Sequence, residues 1–193
     1  MKSRILIATL WLLIPLGIVA YHYGPGQEHL ALDHTEDHLE VAREAMKKED
    51  WGVAIEAYQK ALSELPKDQK DVSRRIQLEI AKAKMQHAQL PEAREDLIEL
   101  VAEINGDTNA STDLKEDALS TLANARYYMT YLMKLEGLPA AEWEPEIEAA
   151  RQEYKLLAMT GVDKAKHKLD LDAAVRLARA DPTELYGLPI PNQ

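Results

Sequence analysis

From Glu28 to Ala180, apolar residues recur every three or four positions, and no stretch alternates with a period of two. This pattern predicts helices nearly throughout: near 30–48, 51–64, 69–88, 91–104, 113–136, 143–159 and 170–180. The stops have local causes. Pro66 follows the second helix, and Pro91 suits the first turn of the fourth, where its missing amide costs nothing. Asn105-Gly106-Asp107 supplies turn formers after the fourth helix, and Asp113 with Glu116 makes a capping box for the fifth. Gly137 and Pro139 end the fifth. Asp181-Pro182-Thr183-Glu184 starts one more short turn, and Tyr186–Gln193 reads as an extended, Pro-containing tail.

The first residues break this pattern. Lys2 and Arg4 precede an uncharged apolar run from Ile5 to Ala20, followed by Tyr21, His22, Tyr23 and the breaker Gly24-Pro25-Gly26. A helix from Ile5 to Tyr23 would reach roughly 28 Å, enough to cross a thin or average hydrocarbon core. Tyr21 and Tyr23 fit an interfacial aromatic belt. The run reads as an uncleaved signal anchor. The competing reading is a signal peptide cut after Ala20 and a secreted product, but Ile18 is not the small residue such a site prefers. Basic residues before the span place the N-terminus in the cytoplasm and the bulk of the chain outside it, in a bacterial periplasm or envelope. A mitochondrial inner-membrane protein facing the intermembrane space would share the pattern. The chain thus divides into an anchor and breaker (1–26), a helical region (27–162), and a capping helix with its tail (163–193).

The helices come in pairs joined by short turns, which prompts a search for repeats. Ala42 and Ala54 are twelve residues apart, and so are Ala81 and Ala93. In the second helix, Ala54, Tyr58 and Pro66 stand at the spacing of the second half of a tetratricopeptide repeat (TPR), which residues 35–68 resemble. The departures are Val41-Ala42 for the family's Leu-Gly pair, His38 for its leading Trp, and Ala45 for its later Tyr. A second pair, with Ile80-Ala81, Ala93 and Leu97, matches more loosely and has Asn105 in place of the Pro. Ala42 to Ala81 is 39 residues, against the usual period of about 34, which predicts an extended Lys67–Val72 connection. A third, degenerate pair has Leu122-Ala123, Ala150 and Tyr154, with an internal spacing of 27. The resemblance implies an all-α fold: an N-terminal transmembrane helix, then an α-solenoid of about three TPR-like hairpins, then a capping helix bearing Leu171, Ala174, Val175 and Leu177. A non-repeat amphipathic bundle is the alternative.

Composition narrows the chemistry. With 33 acidic and 23 basic residues the net charge is −10, which argues against broad nucleic-acid binding. The absence of Cys excludes disulfides, Cys-based zinc sites, iron–sulfur clusters and thiol nucleophiles. No phosphate-cradling Gly-rich loop, nucleophile elbow or metalloprotease motif is present, so the expectation is a non-enzymatic protein without a cofactor. His29, His34 and His38 form a weak metal candidate, since His34 and His38 lie one helical turn apart but spacing fixes no third ligand. His87 and His167 read as ordinary surface residues.

In TPR arrays the first helix of each pair lines a concave face that usually binds peptide segments. The resemblance carries this over to three rows: Arg43, Lys82 and Asn124; Met46, Met85 and Tyr127; and Lys47, Gln86 and Tyr128, with Leu39 and Arg75 flanking. Such a basic, apolar and aromatic strip suits an acidic or C-terminal peptide with an apolar anchor. The competing reading puts Met46, Met85 and Tyr127 in the core, with the cations snorkelling. The leading expectation is a membrane-anchored scaffold binding a protein or peptide partner in this groove. The alternatives are a structural accessory subunit of a larger membrane complex, held by its first helix, convex faces and C-terminal tail, and a His-based metal-binding module.

Overall fold

The computed structural model describes residues 25–185, with side chains from Leu32 onward. Seven helices follow one another: α1 (Pro25–Lys47), α2 (Trp51–Glu64), α3 (Lys70–Gln86), α4 (Leu90–Gly106), α5 (Thr112–Leu135), α6 (Ala140–Thr160) and α7 (Lys164–Arg179), then a short 3-10 turn at Pro182–Glu184. There is no strand among the described residues. Each helix packs on the next, and α5 also touches α3 and α7. This all-helical order of neighbours is consistent with an α-solenoid.

Two starts differ from the sequence pattern. Helix α1 begins at Pro25, inside the expected breaker, because proline at a first helical position gives up only an amide that would be unsatisfied. Helix α7 begins at Lys164 rather than near 170. The Asp163 side chain accepts the Lys166 amide at 3.0 Å, so a cap sets this start and an apolar stripe does not. The expected Lys67–Val72 connection is shorter too, since α3 is already under way at Lys70.

The three hairpin turns close alike. Glu49 (φ 59°), Ala88 (φ 58°) and Gly137 (φ 73°) each take the left-handed conformation just after a helix. The following amide then reaches back five residues: Asp50 to Ala45 O at 2.9 Å, Gln89 to Lys84 O at 3.0 Å and Leu138 to Met133 O at 3.0 Å. These are Schellman closures, which satisfy carbonyls the helix end leaves open.

The alanine register also survives. Ala42, Ala54, Ala81 and Ala93 are fully buried, where the lack of bulk lets paired helices approach. The third hairpin is a lengthened version. Helix α3 stops at Gln86, one turn past Ala81, whereas α5 runs from Ala123 on to Leu135. Helix α4 starts at Leu90, just before Ala93, whereas α6 starts at Ala140, far ahead of Ala150. Each partner gains about two turns, so the long internal spacing is helix and not loop.

The core forms three successive clusters. Leu39, Ile55, Tyr58 and Ile76 centre the first, Leu78, Leu97, Ile104 and Leu114 the second, and Tyr127, Ile147, Tyr154 and Leu177 the third. Leu185, 1% exposed, pins the end of the described chain into the third. The anchor expected at residues 5–23 lies outside the described residues. Among those described, no helix is long and apolar enough to cross a membrane.

Candidate partner-binding groove

The face formed by α1, α3 and α5 carries the expected cations, and the structure gives Arg43, Arg75 and Lys82 each a carboxylate but Lys47 none among the described residues. Arg43 donates to Glu36 Oε1 at 2.7 Å. Lys82 donates to Glu79 Oε1 at 3.0 Å within α3 and to Asp117 Oδ2 at 2.9 Å on α5. Arg75 donates to Asp113 Oδ2 at 2.6 Å and to Ser111 Oγ at 3.3 Å. The α3–α5 seam is therefore a two-rung ladder of partly exposed ion pairs. Arg75, helped by Ser111, holds the Asp113 carboxyl down at about 2. Burial acts to lower Lys82, but Glu79 and Asp117 outweigh it and raise the ammonium above its ordinary value. What reads along the chain as a basic strip is, in space, neutralised at Arg43, Arg75 and Lys82.

The rest of the expected strip divides by burial. Leu39 (8% exposed), Asn124 (7%) and Tyr127 (2%) do not line an open surface. Leu39 belongs to the first core cluster. Asn124 Oδ1 accepts the Tyr154 hydroxyl at 2.6 Å. The Tyr127 ring stands edge-on to Tyr128 at 5.8 Å, and burial pushes its hydroxyl up to about 12. The reason is positional: Tyr127 lies one turn beyond Ala123, on the face of α5 that packs inward. Met46, Met85 and Tyr128 are half-buried against the core, and Lys47 and Gln86 are exposed. The accessible face is thus polar, with half-buried Met and Tyr edges.

The histidine candidate is only partly within the described side chains, since His29 falls outside them. His34 Nδ1 and His38 Nε2 both face Glu64 of α2, at 3.7 and 3.5 Å. Among the described residues no group of three or more His, Asp or Glu side chains is arranged to hold a metal ion.

Sequence reasoning missed several buried and half-buried polar groups. His167, expected at the surface, is 4% exposed, with Nε2 3.1 Å from Glu116 Oε1. Glu116 also accepts the Val162 amide at 2.9 Å. Arg94 of α4 and Arg126 of α5 share Glu146 of α6, and Arg126 Nε lies 3.1 Å from Glu153 Oε1. Lys134, 5% exposed, donates to Leu177 O at 2.8 Å beneath the Trp143 ring. The hydrogen-bond and ion-pair partners lie 20 to 52 residues apart in the chain, so no spacing rule could pair them.

No family model, curated protein or solved structure matches this chain. The functional reading therefore rests on the chemistry of its own surfaces.

Proposed function

We propose that this protein is a non-enzymatic, TPR-like scaffold, tethered to a membrane by residues 5–23, which binds a segment of a protein partner along the α1–α3–α5 face on the extracytoplasmic side. The observation that supports this most is the α3–α5 ladder of Arg75 and Lys82 with Asp113 and Asp117. Exposed ion pairs of this kind contribute at most about 1 kcal/mol each, so an incoming acidic segment can exchange for the resident carboxylates at little cost. The half-buried Met85 and Tyr128 beside them supply an apolar anchor point.

One observation favours a second reading, an accessory subunit of a membrane complex. Leu156, Met159, Val162 and Leu169 are all exposed around the α6–α7 corner, Val162 at 88%. Exposed apolar groups close together mark interaction surfaces.

The two readings separate in a partner capture from detergent-solubilised native membranes, comparing the wild type with an Arg75→Gln, Lys82→Gln variant and a Met159→Asp, Leu169→Asp variant. Loss of one specific protein from the first variant alone supports the groove. Loss from the second alone supports the subunit reading and counts against the groove.

A further inference from the structure

The turn between α6 and α7 forms an outer corner of the third hairpin, and its charge is opposite in sign to that of the chain. From Tyr154 to Leu169 there are four lysines, Lys155, Lys164, Lys166 and Lys168, and one carboxylate, Asp163. No ammonium of the four makes a hydrogen bond or ion pair among the described residues. Glu116 of α5 reaches the turn from a neighbouring helix. Four cations against these two carboxylates leave the corner at +2, on a chain of net charge −10. On either side along the chain, Arg151 pairs with Glu148 and Arg176 with Asp172, while Glu153 and Asp170 turn inward.

Large apolar side chains stand among these lysines in water. Leu156, Met159, Val162 and Leu169 are each at least half exposed. Lys155 and Met159 lie one turn apart on α6, and Lys164 and Lys168 one turn apart on α7, with Val162 in the turn between. The backbone beneath them is fixed. The Val162 amide donates to Glu116 Oε2 at 2.9 Å, and Gly161 beside it is buried. Val162 thus presents its side chain to solvent from an anchored backbone.

The composition of this corner separates two kinds of partner. The centres of protein interfaces favour aromatic residues and Arg and are depleted in Lys. No exposed residue from Lys155 to Leu169 is aromatic or Arg. Lysines around protruding aliphatic side chains suit a bilayer interface instead. There the methyl groups and lysine stems enter the headgroup layer, and the ammonium groups meet lipid phosphate. This attraction acts within a Debye length, about 8 Å, so the acidic remainder of the molecule is largely screened from the surface.

We propose that the α6–α7 corner is a peripheral docking site for an anionic bilayer surface. Met159 and Val162 enter the headgroup layer, and the four lysines bind lipid phosphates. The site is separate from the α1–α3–α5 face and does not require insertion of residues 5–23. Where those residues also hold the chain, the two contacts fall at the first and last hairpins and lay the helical array along the membrane.

The chain has no cysteine, so Val162→Cys places a single environment-sensitive fluorophore at the corner of the full-length protein. Gln59→Cys, exposed on α2, carries the control label. Vesicles are made of phosphatidylcholine alone or of an equal mixture with phosphatidylglycerol, each with a lipid-borne quencher. Quenching at position 162 is expected to be about threefold stronger on the anionic vesicles and to weaken in about 0.5 M salt. It is expected to fall to the neutral-vesicle level in Lys155→Glu, Lys168→Glu. Both lysines are exposed and without ion pairs, so this variant keeps the fold, as circular dichroism verifies. The control label reports the tether alone and is expected to be indifferent to lipid charge. Equal quenching on the two compositions, no loss in the lysine variant, or the same anionic preference at the control label would each overturn the proposal. So would a shift of the position 162 label that grows with protein concentration in the absence of lipid, which marks a second copy. A corner unquenched on anionic vesicles, yet shielded from a water-soluble quencher in native membranes, belongs to a protein neighbour, and that also overturns the assignment to lipid. None of these outcomes bears on the α1–α3–α5 groove, which the capture experiment tests separately.

Discussion

The first and third hairpins share a turn and an alanine register, yet they are held to their surroundings by different means. Around α1 and α2 the ion pairs are exposed or partly exposed: Arg43 to Glu36, Lys48 to Glu44 and His38 to Glu64. Apolar burial around Ala42, Ile55 and Tyr58 holds this hairpin. Around α5, α6 and α7 the polar contacts are half-buried or buried. Arg94, Arg126, Glu146 and Glu153 join three helices, His167 and Glu116 tie α7 to α5, and Lys134 caps the last carbonyls of α7. The third hairpin carries polar side chains inside; Thr121 and Thr130 bond back to their own helix, whereas the charged groups take partners from another. Apolar stacking tolerates many arrangements, whereas a buried charge network tolerates few. The C-terminal part is therefore a specified joint, and the N-terminal part is a more generic stack.

The largest expected contrast comes from removing one arginine on each side. Arg126→Met leaves half-buried Glu153 without its cation, while Glu146 keeps Arg94, and is expected to cost about 2–3 kcal/mol in urea unfolding. Arg43→Met removes an exposed pair and is expected to cost no more than about 1 kcal/mol. Equal losses would break the comparison.

The same joint predicts a pH dependence. Burial pushes Glu153 up to about 7, with Glu146 adding to the shift and Arg126 opposing it. Its Oε2 has no hydrogen-bond partner among the described residues. Between about pH 4.5 and 7 the folded protein holds this proton and the unfolded chain does not, so stability falls as pH rises through that window, by about 2–3 kcal/mol. Glu153→Gln is expected to flatten this slope in thermal melts taken across it. Glu116 works in the opposite sense. Burial alone would raise it, but the Val162 amide and His167 outweigh that and lower it. Its contribution is present above its unfolded value and is lost as pH falls below about 4.5.

This division also decides what the sequence could show. Helix α2 runs over the expected 51–64 because its determinants are local: Asp50 caps its start, and Pro66 follows its end. The alanine spacing located both short hairpins, since close approach needs small residues at fixed helical phase. The site was less legible. The cations Arg43, Arg75 and Lys82 fall on the expected face, but the carboxylates that neutralise Arg75 and Lys82 on α5 come from more than thirty residues away. Asn124 and Tyr127 turn inward because α5 is flanked by α4, α6 and α7, a coverage that a register copied from α1 and α3 does not contain. The interior network had no signal at all, because charged residues at helical spacing ordinarily mean a solvated face.

A smaller effect tests how tightly the joint is packed at its edge. A Cβ added at Gly161 would lie 2.7 Å from Leu157 O and 2.9 Å from Glu116 Oε1. The first of these is backbone and cannot swing away. Gly161→Ala is therefore expected to cost about 1–3 kcal/mol by chemical denaturation, while Gly106→Ala, where nothing lies within 4 Å, should change little.

The smallest effect concerns what the hairpins share. All three turns place a residue at positive φ, but only the third uses glycine. An L-residue in that conformation carries a steric cost of about 1 kcal/mol that glycine avoids, partly offset by glycine's greater freedom in the unfolded chain. Ala88→Gly and Glu49→Gly are each expected to stabilise by about 0.5–1 kcal/mol, and Gly137→Ala to destabilise by about as much. At Gly137 no heavy atom lies within 4 Å of an added Cβ, so its cost is conformational alone. If the three turns are equivalent closures, the three shifts should agree in size once their signs are aligned, whatever the surrounding core. A much larger loss at Gly137 would mean that the buried joint beside it amplifies small changes in the turn, and the difference between the hairpins would then extend to the one element they have in common.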